Sequence, residues 1–181
     1  MNIILGITGG IAAYKTPSII AALVSLKHNV RCVVTPSALN FVTEMSLSVM
    51  SRNKVISTLD NEVNGSITHI TITDWADTFV VVPATANTIA KLAHGIADNA
   101  LTTIALALEP DTRRIVCPAM NTRMWEATSQ RVYDLRMQQG YEVLYPVEGV
   151  LACGEIGKGK LPSTTKVVEF ITGEHNVDVS A

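Results

Sequence analysis

Short apolar runs alternate along this chain with polar or glycine-containing turns and with helical spacings of apolar residues. The runs predict six strands, at residues 2–7, 30–35, 55–59, 79–82, 114–117 and 141–144. Helices are predicted between and after the strands, at residues 11–26, 39–50, 101–108 and 164–171. Two further helices are predicted with one end defined: one begins at residue 89, and another ends at residue 139. Continuous apolar strands separated by helices are typical of a parallel sheet buried on both faces. The pattern therefore predicts an α/β fold over residues 1–181, a single-domain doubly wound (Rossmann/flavodoxin-like) parallel sheet with helices on both faces.

Residues 83–99 follow the strand predicted at residues 79–82 and form the first candidate for a functional site. Pro83 is expected to end that strand, because proline has no N–H for a neighbouring ladder. A polar turn with Asn87 and Thr88 then opens a helix. Such sheets bind ligands where turns of this kind leave the carboxyl ends of strands. The alternative is an ordinary strand-to-helix turn with Asn87 as the N-cap.

Three other turns follow predicted strands and should open on the same edge of the sheet. Gly9 and Gly10 would let the backbone approach a ligand closely, although the turn is neither a GxGxxG fingerprint nor a P-loop. Thr35 and Ser37 offer hydroxyl groups, and Asn121 offers a carboxamide suited to a carboxylate. Capping or core roles remain the alternatives for Ser37, Phe41, Met124 and Trp125.

Residues 148–162 are too polar and too rich in glycine for a core element. We predict a mobile loop there, of the length used for active-site lids, and it carries Cys153. Residues 173–181 are predicted to be a frayed tail. With no internal repeat and no linker, the chain is expected to form one domain.

Composition narrows the classes of function. The chain is 48% hydrophobic, a surplus that we assign to buried sheet and to a subunit interface, and its net charge of −2 favours no nucleic acid partner. No apolar run is long enough to span a membrane and the start lacks the features of a signal peptide, so the predicted location is cytoplasmic. Three cysteines without a CxxC pair argue against disulfides and structural zinc, and no metal is expected.

Taken together, these segments resemble the flavin-containing cysteine decarboxylases. The matching residues are Gly9, Gly10, Ile11, Thr35, Pro36, Ser37, Phe41, His69, residues 83–88 (PATANT), Asp98, Asn99, residues 118–125 (PAMNTRMW), residues 152–154 (ACG) and residues 157–162 (GKGKLP). They follow the family's order and extend over nearly the whole chain. The PATANT-like and PxMNxxMW-like blocks and the upstream histidine are jointly specific, although each alone is weak.

The resemblance implies bound FMN across the carboxyl ends of the strands. The residues that it assigns to the cofactor are Gly9, Gly10, Ile11, Thr35, Ser37, Phe41, Thr85, Ala86, Asn87, Thr88 and Ala119. The family commonly has a serine in the first loop, where this chain has Thr8 and Gly10. The resemblance therefore leaves the individual phosphate contacts open.

The resemblance also implies a mechanism. Flavin oxidises the thiol-bearing carbon to a thioaldehyde, so that the neighbouring carbon can lose its carboxyl group and leave an ene-thiol. His69 would be the acid/base of this half, and Cys153 would donate a proton when the ene-thiol is reduced again. Substrate contacts are implied for Ala119, Asn121, Met124, Gly154 and Lys160, with Asn121 holding the leaving carboxylate.

Cys153 distinguishes between the reactions that members of this family catalyse. Relatives that decarboxylate the C-terminal cysteine of a peptide in lanthionine-peptide maturation stop at the ene-thiol and lack the lid cysteine. The implied reaction is therefore decarboxylation of 4′-phosphopantothenoylcysteine to 4′-phosphopantetheine in coenzyme A biosynthesis. The peptide reaction, a flavin prenyltransferase and a non-catalytic flavin-binding regulatory subunit are the alternatives. A trimer or dodecamer is implied, and the end at Ala181 predicts a single-function enzyme.

Overall fold

The computed structural model of the protein describes residues 1–59 and 68–175. Its strands are β1 (Asn2–Ile7), β2 (Asn29–Val34), β3 (Thr78–Ala84), β4 (Arg113–Pro118), β5 (Glu142–Val143), β6 (Val147–Val150) and β7 (Ile156–Lys160). Its α-helices are α1 (Thr16–Ser25), α2 (Glu44–Ser51), α3 (Thr68–Trp75), α4 (Ala86–His94), α5 (Ala100–Leu106), α6 (Thr122–Gln139) and α7 (Thr164–Thr172). Two 3₁₀ helices, Ile11–Lys15 and Pro36–Asn40, follow β1 and β2.

Five parallel strands form the central sheet, in the order β2-β1-β3-β4-β5. This is the flavodoxin-like order, and it confirms the predicted fold class. The strand order reverses between β1 and β3, so the loops after these two strands diverge and leave a crevice at the carboxyl edge. β6 and β7 form a separate antiparallel hairpin.

The sheet is covered by helices on both faces. Apolar residues of α1, α2 and α7 pack on one face, and those of α3 to α6 pack on the other. Side chains of β1 alternate between the two faces of the sheet. Ile3 and Leu5 lie in the first core, on the face covered by α1, α2 and α7, whereas Ile4 lies in the second core, on the opposite face. Cys32 and Cys117 are buried in the first core, where they pack as small apolar residues. Among the helices of the described residues, none has both the length and the hydrophobicity of a membrane span.

Two strand predictions are wrong. Residues 55–59 form only an isolated bridge, in which Ile56 exchanges backbone hydrogen bonds with Cys32 and Val34 at the outer edge of β2. Pro83 does not end β3, which continues to Ala84. The pairing with β4 shifts register between Val81 and Ala84, and such an irregularity accommodates a residue that cannot donate to the ladder.

Helix boundaries also differ from the predictions. The segment at residues 11–26 begins as a 3₁₀ helix and becomes α-helical at Thr16, with Pro17 in the first turn. The α-helix predicted at residues 39–50 begins only at Glu44, after the N-cap Thr43. Gly173 ends α7 with a φ of 74°, so the predicted tail begins there, but residues 176–181 lie outside the described part.

Arg113 ties β4 to β5 and to the end of α7. Its guanidinium donates two hydrogen bonds of 2.7 Å to the carboxylate of Glu142 and further bonds to the carbonyl oxygens of Phe170 and Ile171. The hydrogen bond from Arg113 holds the pKa of Glu142 below its ordinary value. The ion pair therefore contributes stability above the unfolded-state pKa of Glu142 and loses it as the pH falls through the folded-state pKa.

We expect Glu142→Gln to lower the free energy of unfolding at pH 7 by about 0.5 kcal/mol, because a half-exposed ion pair is screened by water. The difference from wild type should shrink as the pH is lowered to about 3. Urea unfolding at both pH values measures it. Glu126→Gln is the control, since that carboxylate has no ion-pair partner in the described part of the chain. A difference that does not change with pH would contradict the assignment.

Candidate active site

The loops after β1 and β3 are joined by the buried side chain of Thr8. Its hydroxyl donates to the carbonyl oxygen of Pro83 at 2.6 Å and accepts from the backbone N–H of Thr85 at 3.1 Å. Both hydrogen-bonding directions of the hydroxyl are thus used within the protein. Thr8, which the sequence marked only as a departure from the family pattern, holds the two sides of the crevice together.

The loop after β2 meets the loop after β1 at Gly9. A Cβ atom on Gly9 would overlap the side chain of Ser37, so only glycine permits this approach. The Ser37 hydroxyl also lies 3.1 Å from that of Thr35. Gly10 has extended backbone and leads into the 3₁₀ helix Ile11–Lys15. The structure therefore brings together the predicted cofactor residues of the first two loops.

The turn after β3 is organised by Thr85 rather than by Asn87. Thr85 is the N-cap of α4, and its hydroxyl accepts from the backbone N–H of Thr88 at 3.4 Å. Asn87 is exposed on the first turn, Ala86 is partly buried and Thr88 is buried. The alternative in which Asn87 caps this helix is therefore wrong.

These loops fit a flavin mononucleotide. The hydroxyl groups of Thr35, Ser37 and Thr85 lie at the carboxyl edge, where the first N–H groups of helices have no partner within their own helix. None of residues 9–11, 35–41 and 85–88 carries an acidic side chain that would repel a phosphate. Ile11 and Phe41 are exposed and offer apolar surface of the kind that a flat ring system requires.

The turn after β4 places the candidate substrate residues. The N–H of Ala119 donates to the carbonyl oxygen of Ala84 at 3.1 Å, which fixes this turn beside the one after β3. Asn121 is the N-cap of α6, where its Oδ1 accepts from the backbone N–H of Arg123 at 2.9 Å. Met124 is exposed on the first turn, so the core alternative holds for Trp125 but not for Met124.

The segment predicted as a mobile lid folds as the hairpin β6–β7, which lies against the start of α6. The N–H of Met120 donates to the carbonyl oxygen of Gly159 at 3.0 Å. A Cβ atom on Gly159 would overlap the backbone carbonyl of Met120, so the two backbones approach closely there. A Cβ atom on Gly157 would overlap the side-chain hydroxyl of Thr122. Cys153 and Gly154 are exposed in the tip of the hairpin. The predicted motion of this segment stays a prediction.

The tip of the hairpin brings Cys153 to Asn121. Nδ2 of Asn121 lies 3.6 Å from Sγ of Cys153, and Oε2 of Glu155 lies 3.7 Å from the same sulfur. Cys153 is exposed, whereas burial raises the pKa of Cys32 to about 12 and that of Cys117 further. Cys153 is therefore the accessible thiol of the three, and two polar groups face it.

Lys15 connects the cofactor loops to the foot of the hairpin, a role that sequence reasoning missed. Its ammonium donates to the carbonyl oxygens of Leu161 and Pro162, both at 3.3 Å. Burial, and then the charge of Lys160, lower the pKa of Lys15. The side chain of Lys160 itself lies along Gly149. Nothing in the spacing of residues signalled this contact, because 146 residues separate Lys15 from Leu161.

Within the described residues, His69 makes no contact with the other catalytic candidates of the same chain. It lies in the first turn of α3, and the carbonyl oxygen of Trp75 at the other end of α3 accepts from Nδ2 of Asn2. At about 1.5 Å per helical residue, His69 is roughly 9 Å along the helix from Trp75. The six residues of β1 extend over roughly 20 Å from Asn2 to the carboxyl edge. His69 therefore lies nearer the middle of the sheet than the edge with Cys153.

Comparison with curated proteins finds relatives that cover almost the whole chain. It is 39% identical over 172 residues to a probable phosphopantothenoylcysteine decarboxylase of Streptococcus mutans, covering 94% of this chain and 96% of the relative. It is 40% identical over 182 residues to the coenzyme A biosynthesis bifunctional protein CoaBC of Bacillus subtilis, covering 99% of this chain. The chain spans only 44% of the length of that bifunctional relative.

The solved structures that match this chain also include cysteine decarboxylases. A phosphopantothenoylcysteine (PPC) decarboxylase, a cysteine-to-serine variant in complex with pantothenoylaminoethenethiol, matches with a TM-score of 0.85 and 30% identity, covering 94% of this chain and 96% of that one. The FMN-dependent cysteine decarboxylase SpaF matches with a TM-score of 0.81 and 28% identity, covering 94% of both chains.

A protein-family match extends over nearly the whole chain. The Flavoprotein family matches residues 1–176, which include all four loops of the carboxyl edge and the hairpin. The family predicted from the sequence is thus confirmed, and the chain belongs to the Flavoprotein family.

Proposed function

We propose that this protein is an FMN-dependent decarboxylase that converts 4′-phosphopantothenoylcysteine to 4′-phosphopantetheine in cytoplasmic coenzyme A biosynthesis. One observation carries the proposal: an accessible thiol, Cys153, is held beside the carboxamide of Asn121 at the carboxyl edge of the sheet. The streptococcal relative and the PPC decarboxylase structure support the choice of substrate. The peptide reaction is disfavoured because it needs no proton donor in the lid.

FMN is the cofactor of the proposed reaction, supported by the family and by the FMN-dependent neighbour SpaF. When bound, it supplies reversible transfer of two electrons as a hydride. The residues that would hold it are those assembled at the carboxyl edge: Gly9, Gly10, Ile11, Thr35, Ser37, Phe41, Thr85, Ala86, Asn87, Thr88 and Ala119. Thr8 would position two of these loops rather than contact the cofactor, because its hydroxyl is already engaged.

Asn121 is suited to bind the carboxylate that leaves. Its Oδ1 is occupied as a helix cap, which fixes the orientation of the carboxamide and directs Nδ2, a donor, towards the tip of the hairpin. A carboxylate accepts hydrogen bonds only, so a donor alone is needed at this position. Ala119, Met124, Gly154 and Lys160 are the further proposed substrate contacts, with Met124 as an exposed apolar wall.

Cys153 is proposed to protonate carbon in the second half of the reaction. Its exposure and its place at the hairpin tip leave the thiol free to meet an intermediate held by Asn121. The PPC decarboxylase neighbour supports this role, since pantothenoylaminoethenethiol, an ene-thiol, is present in a variant of that protein with cysteine replaced by serine. The hairpin would also shield the intermediate from water.

His69 is proposed as the acid/base of the first half, acting at a site shared between subunits. No contact between His69 and Cys153 of the same chain is present among the described residues, and self-association would bring His69 of a second copy to the substrate. Exposed apolar side chains on α2, Met45 and Val49, are available for such contacts. We therefore propose self-association as a trimer or as a dodecamer.

The product identifies the reaction. We expect the purified protein to be yellow with the absorbance of FMN, and to convert phosphopantothenoylcysteine to a saturated product that has lost carbon dioxide, measured by mass spectrometry. A peptide that ends in cysteine is tested in parallel. An ene-thiol formed only from the peptide would favour the peptide reaction. Bound flavin with no product from either compound would favour the regulatory subunit, and a protein that takes up no FMN would contradict the flavin proposal.

We expect His69→Asn to retain flavin absorbance but to lower turnover by about a hundredfold or more, because the acid/base group of the first half is lost. His94→Asn is the matched control, a histidine exposed at the last turn of α4 on another part of the surface. Steady-state release of carbon dioxide measures both variants. Normal turnover in His69→Asn would remove this residue from the mechanism.

We expect Cys153→Ser to release carbon dioxide but to accumulate the ene-thiol, because a hydroxyl is a much weaker acid than a thiol. The ratio of ene-thiol to saturated product, determined by mass spectrometry, should rise by about a hundredfold or more. A saturated product formed at the wild-type rate would show that another group donates the proton.

A further inference from the structure

We propose that Tyr145 is a positioning residue that holds the hairpin β6–β7 against α6, so that Cys153 stays beside Asn121. The proposal rests on the function proposed above and adds a residue that lies outside every block of the family resemblance. Tyr145 would not touch the substrate. It would act through the hairpin, which carries Cys153 at its tip.

Tyr145 lies where the chain leaves the sheet and enters the hairpin. The N–H of Leu144 donates to the carbonyl oxygen of Val116 at 3.0 Å, so the residue before Tyr145 is still fixed to β4. Pro146 is buried, and β6 begins at Val147. A contact made by Tyr145 therefore acts at the base of the first strand of the hairpin.

The ring of Tyr145 packs edge-on against Trp125 of α6. The ring centroids are 6.1 Å apart and the ring planes meet at 85°, an arrangement that stabilises aromatic pairs. Trp125 is a rigid support, because it is buried in the second core. The hydroxyl of Tyr145 lies 3.5 Å from Nη1 of Arg136, at the outer limit of a hydrogen bond. The ring, rather than the hydroxyl, therefore makes the anchoring contact.

The same part of α6 carries Asn121. The N–H of Trp125 donates to the carbonyl oxygen of Asn121 at 2.9 Å, so the two residues are one helical turn apart. Residues four apart lie on the same side of a helix. The first strand of the hairpin is therefore anchored directly beside the residue whose Nδ2 lies 3.6 Å from Sγ of Cys153.

The hairpin depends on contacts at its base. A two-stranded hairpin is marginally stable by itself in water. Val150 and Ile156, which are paired in the β6–β7 register, are both exposed and add no core of their own. The second strand is held by the hydrogen bond from Met120 to Gly159. Tyr145 supplies the corresponding anchor for the first strand.

Hydrogen exchange resolved to single amides tests this anchor without catalysis. Two neighbouring amides are compared, because the N–H of Met120 is bonded to Gly159 of the hairpin whereas that of Ala119 is bonded to Ala84 of β3. We expect Tyr145→Ala to speed exchange at Met120 by about fivefold, since loss of the ring contact lets the hairpin open more often. Exchange at Ala119 should not change.

Two variants serve as controls for the exchange experiment. Tyr145→Phe keeps the ring and should exchange like the wild type. Tyr133→Ala removes an exposed tyrosine from the same helix and should also leave Met120 unchanged. Equal acceleration at Met120 and Ala119 in Tyr145→Ala would indicate a general loss of stability. That result, or an unchanged rate at Met120, would overturn the proposal.

The second test measures products in the FMN-loaded enzyme with phosphopantothenoylcysteine. We expect Tyr145→Ala to raise the ratio of ene-thiol to saturated product by about fivefold, because Cys153 is away from the intermediate more often. Tyr145→Phe and Tyr133→Ala should give the wild-type ratio. Faster exchange at Met120 with an unchanged product ratio would overturn the role in the reaction. Wild-type protein that forms no product would instead contradict the proposed function, and the exchange test would still decide whether Tyr145 holds the hairpin.

Discussion

The close approach of a glycine-rich hairpin to the start of α6 is the constraint on which the proposed site depends. One backbone hydrogen bond, from Met120 to Gly159, joins the two segments, and Gly159 allows the two backbones to meet there, while Gly157 leaves room for the side chain of Thr122. A Cβ atom at Gly159 would push the hairpin away from the start of the helix, because it would overlap the backbone of Met120. The amide of Asn121 and the thiol of Cys153 would then lose the contact that defines the proposed substrate site.

The loops at the carboxyl edge of the sheet, where the cofactor is proposed to bind, are also held together by small groups. The hydroxyl of Thr8 links the loops on either side of the switch point, and Gly9 lets the loop after β2 close against them. Lys15 then connects this edge to the foot of the hairpin. The proposed cofactor and substrate sites are therefore connected through the Thr8 hydroxyl, the Lys15 ammonium and backbone groups.

The chain separates the groups proposed for the two halves of the reaction. His69 lies along α3, well below the carboxyl edge, whereas Cys153 and Glu155 lie together at an exposed tip. A half-buried histidine suits a contact between subunits, which fits the proposed self-association.

The sequence by itself determined the sheet, the positions of the loops and the family, because buried parallel strands and the motif blocks are local signals in the order of the residues. It could not place the ends of β3 or the state of residues 55–59, since the register shift between Val81 and Ala84 and the lone bridge at Ile56 depend on neighbouring strands. Only the tertiary structure showed that Thr8 and Lys15 join separate loops and that Glu155 faces Cys153. Contacts of this kind are set by how loops distant in sequence, or the turn of a hairpin, are folded in space, and no spacing along the chain encodes them.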